Sequence, residues 1–255
     1  VRLQVVRKVG AETKRLEISL VRDKIKLEEQ AASIKYVERG EHELKIKIAV
    51  LHLPSFYHDD EKDGPSASTD LKKLLGDAVK NKAEVVVLDL AGNGGGSLND
   101  AVDTAGLFLL KGNVVRVVRR PLKEGGPAQF ETLTDNDPRV DWAGPLVVLT
   151  NRNSASASEI VSGVLLDYHR AVIVGGDHSW GKGTMQSVNP LNPGLGAIKT
   201  TVGMFFTPGG WSTQHRGVRG DIILPAQLPE SYSEKALDFS LPPNKINQFL
   251  SASAN

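Results

Sequence analysis

Three short turns hold the residues in this chain whose types and spacing can do chemistry. The first is Asp89-Leu90-Ala91-Gly92-Asn93-Gly94-Gly95-Gly96-Ser97, with four glycines in five residues. Such a backbone turns tightly and lets its N–H groups approach another group closely. It suits an anion, either a phosphate or the oxyanion that develops during acyl transfer. A tight connection with no ligand accounts for the glycines equally well. The dinucleotide fingerprint, with glycines first, third and sixth, fits Gly92 and Gly94 only badly. No suitably placed acid after the next strand supports it.

The second turn is Asn153-Ser154-Ala155-Ser156-Ala157-Ser158-Glu159-Ile160. A serine at the start of a helix sits in a positive field, with backbone N–H groups nearby to receive an oxyanion. Ser156 and Glu159 also have the Ser-x-x-Glu spacing of a capping box, which requires no catalysis. On this motif alone capping suffices.

The third turn runs from Gly175 to Gln186. Gly176 and Gly181-Lys182 have the spacing of a nucleotide-binding loop. The hydroxyl that must follow the lysine to reach Mg²⁺ is missing, because Gly183 stands there and Thr184 comes one place late. Ser179-Trp180-Gly181-Lys182 matches the Ser-x-x-Lys of penicillin-binding enzymes, but that geometry needs a helix and the flanking glycines oppose one. The six histidines, at 42, 52, 58, 169, 178 and 215, read as surface or packing residues. Only His178, beside Asp177, has an obvious orienting carboxylate. Neither a Gly-x-Ser-x-Gly elbow nor a His-Glu-x-x-His helix occurs, and nothing supports a metal site.

Composition bounds these readings. The chain has 255 residues, 40% hydrophobic and 24% charged, with a net charge of +1. This is ordinary for a globular protein and gives no electrostatic case for nucleic acid or an anionic membrane. No apolar run approaches the roughly 20 residues that span a bilayer. Cysteine is absent, which excludes disulfides, thiolate ligands and a cysteine nucleophile. The chain opens on Val1-Arg2-Leu3-Gln4-Val5-Val6 without a start methionine, and is expected to be a fragment.

The elements that must carry the turns follow from periodicity. Val1–Arg7 and Arg15–Arg22, joined through Gly10, read as a half-exposed hairpin. Residues 44–53 alternate like a strand, 59–68 form a polar loop, and Thr69 or Asp70 caps a helix to about Lys82. A buried strand (84–90), a helix (98–110) and a strand (114–119) follow. Residues 120–144 read as an exposed loop. A strand (145–150), a helix (157–168) and strands at 171–174 and 197–206 come next, and residues 229–255 read as a surface tail. Strands alternating with helices imply an α/β sheet covered on both faces, where ligands gather at strand ends.

Together the turns resemble the C-terminal processing peptidases, or tail-specific proteases. The resemblance rests on Leu88-Asp89-Leu90-x-x-Asn93-Gly94-Gly95-Gly96, on Asn153-Ser154-Ala155-Ser156-Ala157-Ser158-Glu159-Ile160, and on Gly181-Lys182-Gly183-Thr184-x-Gln186. It continues through Gly209-Gly210-x-Ser212-Thr213-Gln214 and Gly217-Val218-x-x-Asp221-Ile222, and covers about residues 1–245. It implies a crotonase-like α/β peptidase core over 36–228, with residues 1–35 as the last strands of a truncated PDZ domain and 229–255 as a C-terminal extension. It implies Ser156 as nucleophile, Lys182 as general base, Gln186 orienting the lysine amine, and Asp167 in a mainly structural role. The oxyanion hole would combine the Ala157 N–H with that of Gly94 or Gly95.

The implied partners are polypeptides with apolar, unstructured C-termini, in the periplasm or otherwise outside the cytoplasm. No nucleic acid, metal or other cofactor is expected, and membrane association only through segments absent here. Ala91 stands where the family usually has arginine, and Trp180 where phenylalanine is usual.

A lysine with a pKa near 10.4 is a poor base at neutral pH. Lowering it to about 7–8 requires burial to disfavour the ammonium by roughly 3–5 kcal/mol. Two other readings stay open: a catalytically silent peptide-binding module in which Ser156 only caps its helix, and a crotonase-type acyl-CoA enzyme.

Overall fold

The computed structural model describes residues 1–10, 12–21, 31–41, 45–59, 64–119, 126–225, 228–229 and 231–251. The chain divides into two compact units, Val1–Gln30 and Ala31–Asn255. In the first, β1 (Arg2–Val9) pairs antiparallel with β2 (Glu12–Ser19), Arg2 opposite Ser19 and Val9 opposite Glu12. Gly10 turns the chain at a φ of +65°. The Val1 amino group closes the open end on the Leu20 carbonyl at 2.7 Å.

In the second unit six strands form a mixed sheet in the order β12-β9-β8-β5-β4-β3. These are β3 (Ser33–Arg39), β4 (Ile46–His52), β5 (Val85–Asp89), β8 (Leu146–Thr150), β9 (Val172–Gly175) and β12 (Ile222–Ile223). All pairs are parallel except β3 with β4. The boundary expected at 35/36 falls inside β3, which pairs with β4 along its whole length.

Helices α1 (Ala67–Lys80), α2 (Leu98–Gly106) and α3 (Ala157–Asp167) lie between successive strands. Ser66 caps α1, accepting the Thr69 N–H, so this helix starts a turn earlier than its Thr69 signal suggests. α3 is buried from Ala157 through Leu165. Its small residues permit this, since a Cβ on Gly163 would lie 2.8 Å from Thr207 Cγ2. Leu51, Leu71, Leu75, Leu88, Val148, Ile160 and Leu165 are almost fully buried in one core. Each such side chain contributes roughly 1.5–3 kcal/mol.

A second, antiparallel sheet has the order β10-β11-β6-β7, from β6 (Gly112–Arg119), β7 (Gln129–Asp135), β10 (Thr184–Pro190) and β11 (Ala197–Phe206). β7 lies within the stretch read from sequence as an exposed loop, of which 120–125 fall outside the described residues. It is an edge strand with weak alternation, held by Arg119 to Glu131 at 2.9 Å and Arg116 Nε to Thr132 Oγ1 at 2.8 Å. Of the loop expected over 59–68, positions 60–63 also lie outside the described residues.

Residues 231–251 do not run free as a tail. They follow the loop at 207–215 through Ser212 N–H to Asn244 O, Ile246 N–H to Gly210 O and Phe249 N–H to Pro208 O. Phe249 is buried and carries the Arg116 guanidinium 4.1 Å above its ring. Among the described residues no helix is long and apolar enough to cross a membrane.

Candidate active site

Parallel strands deliver their following loops to one edge of a sheet, and β5, β8 and β9 deliver the three turns marked by the sequence. The turns after β5 and β8 are sewn together by hydrogen bonds. Ser154 Oγ donates to Leu90 O at 2.8 Å, Ser158 Oγ to Asn93 O at 2.8 Å, and Ala155 N–H to Asn93 O at 3.0 Å. Asn151 Oδ1 accepts both the Gly92 and the Asn153 N–H. Asn93 Nδ2 in turn holds Leu53 O at 2.9 Å.

The triplet of serines is thereby resolved. Ser154 and Ser158 are fully buried and committed to carbonyls, whereas Ser156 is half-buried. Ser156 sits at φ 58° and ψ −112°, a strained conformation for a residue with a Cβ. Such strain on a strand-to-helix turn lifts a side chain out at the top of a sheet, as a nucleophile elbow does. The sequence lacks the glycines of that motif, and the surrounding hydrogen bonds impose the geometry instead.

The glycine loop meets this turn at Gly95. A Cβ there would lie 2.8 Å from both Ser156 Cβ and Ala155 O, and 3.1 Å from Ala157 N. Its φ is +103°. Gly95→Ala is therefore expected to destabilise the protein by roughly 1–3 kcal/mol, read as a lower urea midpoint. The Gly95 N–H is already donated to Asn93 Oδ1 at 2.9 Å. Gly94 is exposed, and neither its N–H nor that of Ala157 is spent on an acceptor among the described residues.

Lys182 arrives from the loop after β9. Trp180 N–H donates to Ser154 O at 2.9 Å, His215 N–H to Gly181 O at 2.8 Å, and Thr213 Oγ1 to Lys182 O at 3.0 Å. The half-buried ammonium is pushed below the ordinary lysine value, first by burial and then by Lys199; Glu234 and Glu159 oppose the shift. Lys182 Nζ and Ser156 Oγ are not hydrogen-bonded to one another. Catalytic hydrogen bonds commonly tighten only when substrate is bound.

Glu159 joins the Ser156 and Lys182 turns. Its Oε2 accepts the backbone N–H of Ser156 at 2.8 Å and of Lys182 at 2.9 Å. Its Oε1 accepts Ser179 Oγ at 2.5 Å and the Gly181 N–H at 2.7 Å. Glu159 is fully buried, and burial pushes its pKa up to about 7 against those four donors. The capping spacing read from the sequence is real, since the Ser156 N–H reaches Glu159. The longer-range half, to the Lys182 loop, leaves no local trace in sequence.

The remaining expected residues stand apart. Asp167 ends α3, eleven residues beyond Ser156 and so about 16 Å along the helix axis. Its Oδ2 accepts the Gly209 N–H at 2.7 Å, and burial raises its pKa. Gln186 is exposed on β10, beyond the register shift at Met185/Gln186, and makes no hydrogen bond to Lys182. Among the described residues no group of three or more metal-ligating side chains is present.

Residues 47–224 match the sequence profile of Peptidase family S41. The chain is 37% identical to the tail-specific protease of Haemophilus influenzae over 90% of its own length and 32% of that protein's. It is 36% identical to a carboxy-terminal-processing protease of Bartonella bacilliformis, over 89% of the chain and 48% of the relative. It thus spans about a third to about half of the length of these curated relatives. Among solved structures it is similar to a photosystem II D1 C-terminal processing protease, with a TM-score of 0.65 and 26% identity, covering 90% of this chain and 57% of the other.

Proposed function

The chain belongs to Peptidase family S41, and from that premise we propose that it is the catalytic core of a serine endopeptidase in which Ser156 is the nucleophile and Lys182 the general base. What carries this reading is the buried Glu159 carboxylate, which binds the backbone N–H of both residues and so fixes the two turns to one point. Neutral Lys182 takes the proton from Ser156 Oγ as the oxygen attacks a peptide carbonyl, and passes it to the leaving amine. Water then attacks the acyl-enzyme ester and releases the second product. The N–H groups of Ala157 and Gly94 face the developing oxyanion; the Gly95 N–H is taken by Asn93 Oδ1. Removing one such donor commonly costs about 10²–10³ in rate.

Substrates are polypeptides with apolar, unstructured C-termini, bound as an extended strand beside the glycine loop. The core is crotonase-like, and the β1–β2 hairpin represents the last strands of a truncated PDZ domain, a domain type that captures peptide tails at a sheet edge. The protein acts outside the cytoplasm.

A serine-reactive fluorophosphonate tests the assignment without needing the natural substrate. Mass spectrometry is expected to find the adduct on Ser156 and none in Ser156→Ala. Labelling should rise with pH through a midpoint below the ordinary lysine range, because protonated Lys182 accepts no proton. Adducts on Ser154 or Ser158, or equal labelling of Lys182→Ala, would overturn the reading.

A further inference from the structure

The base loop is gripped from two sides. Glu159 of α3 holds one side. The other side is held by a segment beyond residue 224, where the family profile ends. Glu234 opens a short 3₁₀ turn, Glu234–Ala236. Its Oε2 accepts the Trp180 indole N–H at 2.8 Å, while its backbone N–H donates to Trp180 O at 3.0 Å. One residue therefore clasps Trp180 by side chain and main chain together, and Tyr232 packs edge-on to the indole with centroids 5.1 Å apart.

The grip extends past the lysine. Gln214, fully buried and part of the Gly209–Gln214 motif, accepts the Gly183 N–H at 2.8 Å. Its Nε2 donates to Leu241 O at 2.9 Å and to Glu234 Oε1 at 3.4 Å. A Cβ on Gly183 would collide with Ser212 Oγ and lie 2.6 Å from Gln214 N, so loop and motif fit only with glycine at 183. Trp180 and Gly183, on either side of Lys182, thus both lead to Glu234.

We propose that Glu234 is a positioning residue for Lys182, acting through Trp180 and Gln214, so that the chain after residue 230 is a working part of the catalytic apparatus. The proposal rests on the Ser156–Lys182 reading. A charge at this point does two things. It holds the loop by a charge-assisted hydrogen bond, about twice as strong as a neutral one. It also acts electrostatically on Lys182, favouring the ammonium together with Glu159 of α3 and against burial and Lys199 of β11. Glu234 accordingly sets both where the base stands and the pH at which it becomes available.

Glu234→Gln and Trp180→Phe separate these effects in the 255-residue chain. The glutamine retains a hydrogen-bond acceptor for the indole and removes the charge. The acidic limb of kcat/KM on a denatured protein with an apolar tail is expected to move to lower pH, as is the Lys182 Nζ titration followed by NMR. Trp180→Phe retains the charge and removes the donor. It is expected to lower kcat/KM by about tenfold with the limb unmoved, and to speed amide exchange at residues 181–183. Lys235→Gln, one residue away and exposed, should change none of these. An unmoved Nζ titration in Glu234→Gln, with unaltered exchange in Trp180→Phe, overturns the proposal. A wild-type chain that cleaves no substrate counts against the peptidase reading alone, because titration and exchange still decide the role of Glu234.

Discussion

Ser156→Ala is expected to lower kcat/KM on a denatured polypeptide by about 10⁴-fold or more, Lys182→Ala to do the same, and the double variant to be no worse than either. Without the base, the Ser156 hydroxyl remains a weak nucleophile at neutral pH. Without the hydroxyl, the amine has nothing to activate. Two groups serving one proton transfer are removed once, so their losses do not add. Residual turnover above background reflects the Gly94 and Ala157 N–H groups, which neither substitution touches. The burial that depresses the Lys182 pKa predicts a second signature: wild-type activity rises with pH to a plateau reached below the ordinary lysine range. Steady-state kinetics from about pH 5 to 10 would show both. Equal turnover in all four proteins, or full additivity, sinks the dyad.

Glu159→Gln should have the next largest effect, and on stability as well as rate. The carboxylate presents four acceptor directions to four donors: Ser156 N–H, Lys182 N–H, Ser179 Oγ–H and Gly181 N–H. An amide turns its NH₂ toward one pair of them. Leaving two buried donors unpaired costs roughly 2–6 kcal/mol. The displaced Ser156 and Lys182 turns should lower kcat/KM at least a hundredfold, since small misplacements at a reacting centre are amplified. The pH dependence has a definite sign. The folded-state pKa of Glu159 is raised from 4.5 to about 7. Folding therefore retains a proton in that interval. The associated stability is present below about 4.5 and lost as pH rises through about 7. Urea unfolding across this window should lose that slope in Glu159→Gln. A variant that keeps both slope and midpoint would show that the carboxylate ties nothing together.

How much of this was legible in the sequence depended on whether a signal was local. β11 runs over Ala197–Phe206, the bounds read from the sequence, and α3 begins at Ala157, directly after the strand and serine turn that announce it. The three turns stood out because glycine, serine and lysine cluster there. Three other features did not show. β7 and β10 are edge strands, polar on one side, whose existence is decided by pairing with β6 and β11. Asn93, Ser154 and Ser158 lie within those turns, but nothing local shows that they bond carbonyls up to 65 residues away. Residues 231–251 lack periodicity because they are held residue by residue along another loop, not by packing a face. Glu159 shows both cases at once: its cap to Ser156 is three residues long and readable, while its bond to Lys182 spans 23 and is not.

The backbone at Ser156 carries a wider consequence. A side chain held at φ 58° and ψ −112° makes this position costlier than a relaxed helix start by about 1–3 kcal/mol. Hydrogen bonds from the neighbouring turns, among them Ser156 N–H to Glu159, hold the residue in place. If Ser156 is the nucleophile proposed above, selection for persistence of the fold and selection for turnover pull in opposite directions at this one residue. A lineage released from the need to cut would be free to drift toward glycine there, exchanging its reactive hydroxyl for a more durable protein.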